Sequence, residues 1–167
     1  PSEPLPTASP SPTTAPTPDY PAEGTGPNSF PAGYNPLTGL KAADPALLNR
    51  RPIIVKVQNI PREDRPQWGL PQADLVFEYY TERGSTRFAA VYYGENAEMV
   101  GPVRSARNFD LSLVQMFKGI LVFGGAFEAT FSRLVNNVGN QLVVESQYTC
   151  PALCRYDPRG KNYLMAN

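Results

Sequence analysis

The run Gly101-Pro102-Val103-Arg104-Ser105-Ala106-Arg107-Asn108 holds the most chemistry per residue in this chain. Gly-Pro marks a turn. Two arginines and a serine follow, just where a helix-like pattern begins. A helix start offers free N–H groups and the positive end of its dipole. Guanidinium forks match phosphate or carboxylate oxygens. Arg104, Ser105 and Arg107 therefore read as an anion cradle. A plainer reading stands beside it: Ser105 or Asn108 caps the helix, and the arginines pair with surface carboxylates.

Gly124-Gly125 lies between a strand-like and a helix-like segment. Glycine there permits close backbone approach to a ligand, and ligands sit at the carboxyl ends of strands in open α/β sheets. A tight turn explains the pair equally well. Glu78, Glu82 and Arg87 form a third group, which could supply a general acid and base if they face one cleft. Glu78 sits inside an apolar run, and a buried carboxylate needs a partner; Arg87 across a hairpin is the candidate. Cys150 and Cys154 are separated by three residues, which is not the redox C-x-x-C spacing. A local disulfide is geometrically allowed in an oxidising compartment, and two free thiols are the alternative.

The surrounding composition narrows the chemistry. The 167 residues carry 15 Lys+Arg, 15 Asp+Glu and no His. Zero net charge argues against a general nucleic-acid binder. Without histidine the chain cannot build a Ser-His-Asp or Cys-His pair or a His-ligated metal site, so no metal or cofactor is expected. No apolar run reaches the ~18 residues of a membrane span, and the first residues do not read as a signal peptide.

Residues 1–31 contain 10 of the 19 Pro and 9 Ser or Thr, and their charges are Glu3, Asp19 and Glu23. Such a stretch buries too little apolar surface to offset its ordering entropy. We expect residues 1–34 to be a disordered Pro-rich linker with a reach on the order of 90 Å, and residues 35–167 to be one domain.

Within that domain, Asp44 is placed to cap a short turn starting at Pro45. Residues 52–57 read as a buried strand, 59–71 as a loop, and 74–80 with 87–93 as an antiparallel hairpin. Residues 108–118 read as a helix ended by Gly119, and 120–123 as a strand. Residues 127–138 have helical spacing with Gly139 as C-cap, and 141–145 read as a strand. Residues 146–167 pattern weakly. This order predicts an α/β domain with a mixed β-sheet and flanking helices.

The residues also resemble a known family. Asn35-Pro36-Leu37-Thr38-Gly39-Leu40, Arg51-Pro52-Ile53, Arg65-Pro66-Gln67, Gly69-Leu70, Ala73-Asp74, Glu78, Glu82, Gly84, Thr86-Arg87-Phe88 and the Gly101–Arg107 run are similar to the N-terminal domain of the YerB-like lipoproteins (DUF3048), a bacterial family of unknown function. The resemblance implies an extracytoplasmic lipoprotein whose lipid-bearing cysteine precedes Pro1 and whose second domain follows Asn167. Where the family pattern has a histidine before the glycine pair, this chain has Phe123, and Asn162-Tyr163-Leu164 matches a second histidine-containing segment only in part. That departure favours binding over catalysis.

The expected function is a lipid-anchored extracellular or cell-surface binding domain. Its ligand would be an anionic cell-envelope polymer or phosphate-bearing glycan, held by Arg104, Ser105, Arg107, Gly124 and Gly125. One alternative is an envelope hydrolase or transferase using Glu78 or Glu82 with Arg87, Arg104 and Arg107. The other is a self-assembling module with an interface built from Tyr79, Tyr80, Tyr92 and Tyr93.

Overall fold

A computed structural model of the chain describes residues 19–26, 29–156 and 161–167. Residues 1–18, 27 and 28 of the expected linker lie outside the described residues. Its described end touches the domain. Asp19 accepts a hydrogen bond from the Tyr34 hydroxyl at 3.0 Å and forms an ion pair with Lys41 at 3.3 Å.

Five strands form a mixed sheet in the order β2-β3-β1-β4-β5. They are β1 (Ile53–Gln58), β2 (Leu75–Tyr80), β3 (Thr86–Tyr92), β4 (Ile120–Phe123) and β5 (Leu142–Val144). β3 pairs antiparallel with both β2 and β1, while β1, β4 and β5 pair in parallel. Helices α1 (Asn108–Phe117) and α2 (Glu128–Val138) lead into and out of β4. The architecture is the mixed α/β domain that the pattern predicts.

Strand alternation divides the core into two layers. Ile54, Ala89, Val91, Leu121 and Phe123 face α1 and α2, meeting Leu111, Leu113, Val114, Leu134 and Val138. Val55, Val57, Ala90, Tyr92 and Val122 face the other way, toward Leu153, Leu164 and Ala166. Those last residues belong to a hairpin, β6 (Leu153–Tyr156) and β7 (Tyr163–Ala166). This hairpin corrects the reading of residues 146–167 as weakly patterned. The strands are only four residues each, and all of β7 is buried, so packing against the sheet, not local propensity, organises them. Cys150 and Cys154, at the hairpin's entry, are joined by a disulfide with Cα atoms 4.9 Å apart.

Several element ends differ from expectation. α1 is closed by Lys118 in the left-handed region at φ 49°, with its N–H bonded to the Val114 carbonyl. Gly119 serves another purpose: a Cβ there would lie 2.8 Å from the Pro52 carbonyl oxygen. Gly139 does not adopt a left-handed cap either. It stays right-handed at φ −54° and continues into a 3-10 turn over Gly139–Gln141. Asp44 does cap the turn at Pro45, accepting from the Ala46 N–H at 2.9 Å.

Candidate functional site

β4 is shorter than β1, so the end of β1 needs another neighbour. The 101–107 loop supplies it. Val57 and Val103 form a bridge, the Gln58 N–H donates to the Pro102 carbonyl at 3.0 Å, and the Arg104 N–H donates to the Lys56 carbonyl at 2.9 Å. The Gly124 N–H then donates to the Arg104 carbonyl at 3.0 Å. The arginine loop is thus stitched into the sheet at the carboxyl ends of β1 and β4, where α/β sheets place ligands.

A cleft of about 120 Å³ opens there, lined by Gln58, Arg104, Ser105, Gly124, Arg155 and Tyr163 among others. Arg104 is exposed and makes no ion pair among the described residues. Arg155 grips Glu145 with two hydrogen bonds of 2.6 and 3.0 Å. Beside the cleft, Asp64 accepts from Gln58, Lys161 and Tyr163, each at 2.6 Å. Burial works to raise the Asp64 pKa. The hydrogen bonds from Lys161, Tyr163 and Gln58 prevail and lower it.

Arg107 does not share the cleft with Arg104. It sits at the N-cap of α1, where its N–H donates to Asp110 Oδ2 at 2.7 Å and its carbonyl accepts from the Asp110 N–H at 3.0 Å. Neither Ser105 nor Asn108 caps the helix. The Arg107 guanidinium closes on Glu82 through Nε to Oε1 and through Nη2 to Oε2 at 2.8 Å. Those hydrogen bonds, partly opposed by burial, hold the Glu82 carboxyl down to about 2.

The proposed Glu78–Arg87 pair does not form. Glu78 lies opposite Phe88, and Arg87 lies opposite Tyr79, so the two side chains leave opposite faces of the sheet. Glu78 is exposed, not buried, and accepts from Asn59 at 3.0 Å and Thr86 at 2.6 Å. Arg87 donates to the Ser105 carbonyl at 2.6 Å, which braces the loop from beneath. The glycines are structural as placed. A Cβ on Gly124 would come within 2.9 Å of Leu164 Cδ2, and Gly125 has φ +122° with open space beside it. Three of the four tyrosines face inward: the Tyr92 hydroxyl donates to the Gly69 carbonyl, that of Tyr93 to the Leu48 carbonyl, and that of Tyr79 to Asp110. Tyr80 alone of the four is exposed, at 70%.

The largest feature missed in the sequence is a buried polar trio: Lys56 on β1, Tyr79 on β2 and Asp110 on α1. Lys56 and Asp110 have no solvent exposure. The sequence carries a signal for it, since Lys56 interrupts the apolar run Ile53–Val57 and a buried charge must have a partner.

An α/β domain with an arginine-bearing loop sewn into the carboxyl end of its parallel strands is the class that fold and cleft define. The chain belongs to the family described as "Protein of unknown function (DUF3048) N-terminal domain", whose model matches residues 37–162. It is 46% identical over 90 residues to "Putative lipoprotein YerB" of Bacillus subtilis (strain 168), covering 54% of this chain and 27% of that protein. The crystal structure of the Bacillus subtilis YerB protein matches with a TM-score of 0.69 and 31% identity, over 80% of this chain and 46% of that one. The chain therefore matches less than half the length of either relative.

Among the described residues no helix is long and apolar enough to cross a membrane. Nor do they contain a cluster of three or more His, Cys, Asp or Glu side chains placed to hold a metal ion.

Proposed function

We propose that this domain is a surface-anchored binding module that takes an anionic group of a cell-envelope polymer into the Arg104 cleft. One observation carries the reading: Arg104 is exposed in a polar cleft at the carboxyl ends of the parallel strands and makes no ion pair among the described residues. Its backbone is fixed on both sides, through its N–H to Lys56 and its carbonyl to Gly124, so binding has only the side chain left to order. Arg155 stands beside it, paired with Glu145 of the same cleft, and Ser105 adds a hydroxyl group to the wall, while the Tyr163 hydroxyl proton is already given to Asp64. This donor set suits the oxygens of a phosphate or carboxylate.

The lipoprotein name of the YerB relative supports an anchored location outside the cytoplasm. Glu78 and Arg87 leave opposite faces of the sheet and Glu82 is held by Arg107, which weighs against the hydrolase reading that needs these groups in one cleft. The test is titration with a poly(glycerol phosphate) by calorimetry. Wild-type protein should bind, and Arg104→Ala should lose about 1.5–3 kcal/mol, the range for a hydrogen bond to a charged group. Equal affinity of wild type and Arg104→Ala would remove the cleft from consideration.

A further inference from the structure

Between β1, β2 and α1 a fully buried lysine and aspartate meet at the hydroxyl of the partly buried Tyr79. Lys56 Nζ stands 3.6 Å from Asp110 Oδ1, and both side chains are fully buried. The Tyr79 hydroxyl links them. It accepts from Lys56 Nζ and donates to Asp110 Oδ1 at 2.5 Å. The second carboxylate oxygen, Oδ2, accepts the Arg107 backbone N–H at 2.7 Å. An ion pair in such a place is expensive, because both charges give up their hydration and attraction repays it only in part.

We propose that Lys56 and Asp110 become joined by an intramolecular amide bond between Nζ and Cγ, with Tyr79 as the proton carrier. The hydroxyl already accepts from one partner and donates to the other, so it can pass a proton from the ammonium to the carboxylate. That leaves an amine facing a carboxylic acid. Burial, opposed by the attraction of Asp110 and reinforced by Arg87 and Arg107, holds the Lys56 ammonium well below its ordinary range and so favours release of its proton.

Nζ then attacks Cγ. Negative charge gathers on Oδ2, where the Arg107 N–H is already aimed, as in an oxyanion hole. As the intermediate collapses, Nζ gives a second proton to Tyr79, whose own proton moves to Oδ1. The C–N bond forms, the C–Oδ1 bond breaks, and Oδ1 leaves as water carrying the two protons that Tyr79 has delivered in exchange for two from the ammonium. Tyr79 ends as it began. Nothing is oxidised or reduced, and no co-reactant is needed. Holding amine and acid together supplies the entropic advantage of an intramolecular reaction. The product exchanges two buried charges for one amide and ties the start of α1 to the central strand.

The test is the intact mass of the purified protein after reduction of the disulfide. Wild type should be lighter than its sequence by one water molecule. Trypsin should fail to cut after Lys56, and residues 51–62 should emerge covalently joined to residues 108–118. Lys56→Met and Asp110→Ala should have the full mass. In Tyr79→Phe the ring keeps its place against Phe109, 4.6 Å away between centroids, and condensation should be largely lost. Wild type at full mass after days at neutral pH, with a free peptide ending at Lys56, overturns the proposal even if every variant fails to fold. A water loss that persists in Lys56→Met overturns it too. Undiminished condensation in Tyr79→Phe removes Tyr79 from the proton path.

Discussion

Glu82 holds Arg107 by both carboxylate oxygens, and this makes the two arginines of the loop unequal. Arg107 spends its guanidinium on the hairpin turn, whereas Arg104 keeps its own for the cleft. Substitution should separate them. Arg107→Ala should leave poly(glycerol phosphate) affinity within about twofold and cost at most about 1 kcal/mol of stability, since the Glu82 side chain is 61% exposed and such pairs are weak. Calorimetric titration and urea unfolding of the two alanine variants read this directly. Loss of affinity in Arg107→Ala equal to that in Arg104→Ala would place both in one site.

The same pair predicts a dependence on pH. The Glu82 carboxyl is held down to about 2 in the folded state, against an ordinary value of 4.5. Between those values the unfolded chain binds more protons than the folded one, so stability rises with pH. The contribution is fully present above about pH 4.5 and is lost as pH falls through about 2. Urea midpoints of wild type and Glu82→Gln should therefore differ at pH 6 and converge toward pH 2. A constant gap across that range would show that Glu82 is not the titrating group.

Much of this arrangement is legible in the residues, and the rest is hidden for identifiable reasons. The β-branched run Ile53–Val57 and the spacing of Phe131, Leu134 and Val138 give β1 and α2 because local pattern and final burial agree. α1 is less faithful: its apolar positions include Phe109 and Met116, which are 41% and 65% exposed, while the polar Asp110 is buried. β6 and β7 escape notice because tertiary contact organises them. The Gly101–Arg107 run stands out in the sequence as the chain's chemical centre. Its division of labour does not, because only the hairpin turn brings Glu82 to Arg107. Lys56 and Asp110 each look anomalous alone, and their meeting depends on α1 crossing β1.

The disulfide should matter locally. Cys150 and Cys154 are four positions apart, so the closed loop is small and the bridge removes little entropy from the unfolded chain, about 2 kcal/mol. Replacing both cysteines with serine should lower unfolding stability by no more than that amount. Hydrogen exchange should rise in residues 149–156 and stay unchanged in β1 and β3. Protection lost throughout the sheet would show that the hairpin is not a separable layer.

Gly124 offers a way to move the cleft wall without touching the ligand's arginine. A Cβ at this position would meet Leu164 Cδ2 at 2.9 Å, and Leu164 is buried in the layer between β7 and the sheet. Gly124→Ala should therefore push β7 outward and cost about 1–3 kcal/mol, the usual range for overpacking. Tyr163 and Asn162, which line the cleft beside Leu164, should shift with it, so anion affinity should fall in a protein that remains folded. Leu164→Ala alone should cost about 2–5 kcal/mol through the cavity it leaves. Combined with Gly124→Ala it should cost less than the sum, because the new methyl group enters space that the deletion vacates. Gly119→Ala is the contrasting case: its methyl would meet the Pro52 backbone oxygen at 2.8 Å, which no side-chain rotation relieves, so truncating Ile54 beside it should not rescue stability. Strict additivity of Gly124→Ala and Leu164→Ala in urea unfolding would mean that the two residues do not press on each other, and that Gly124 shapes the cleft by some other contact.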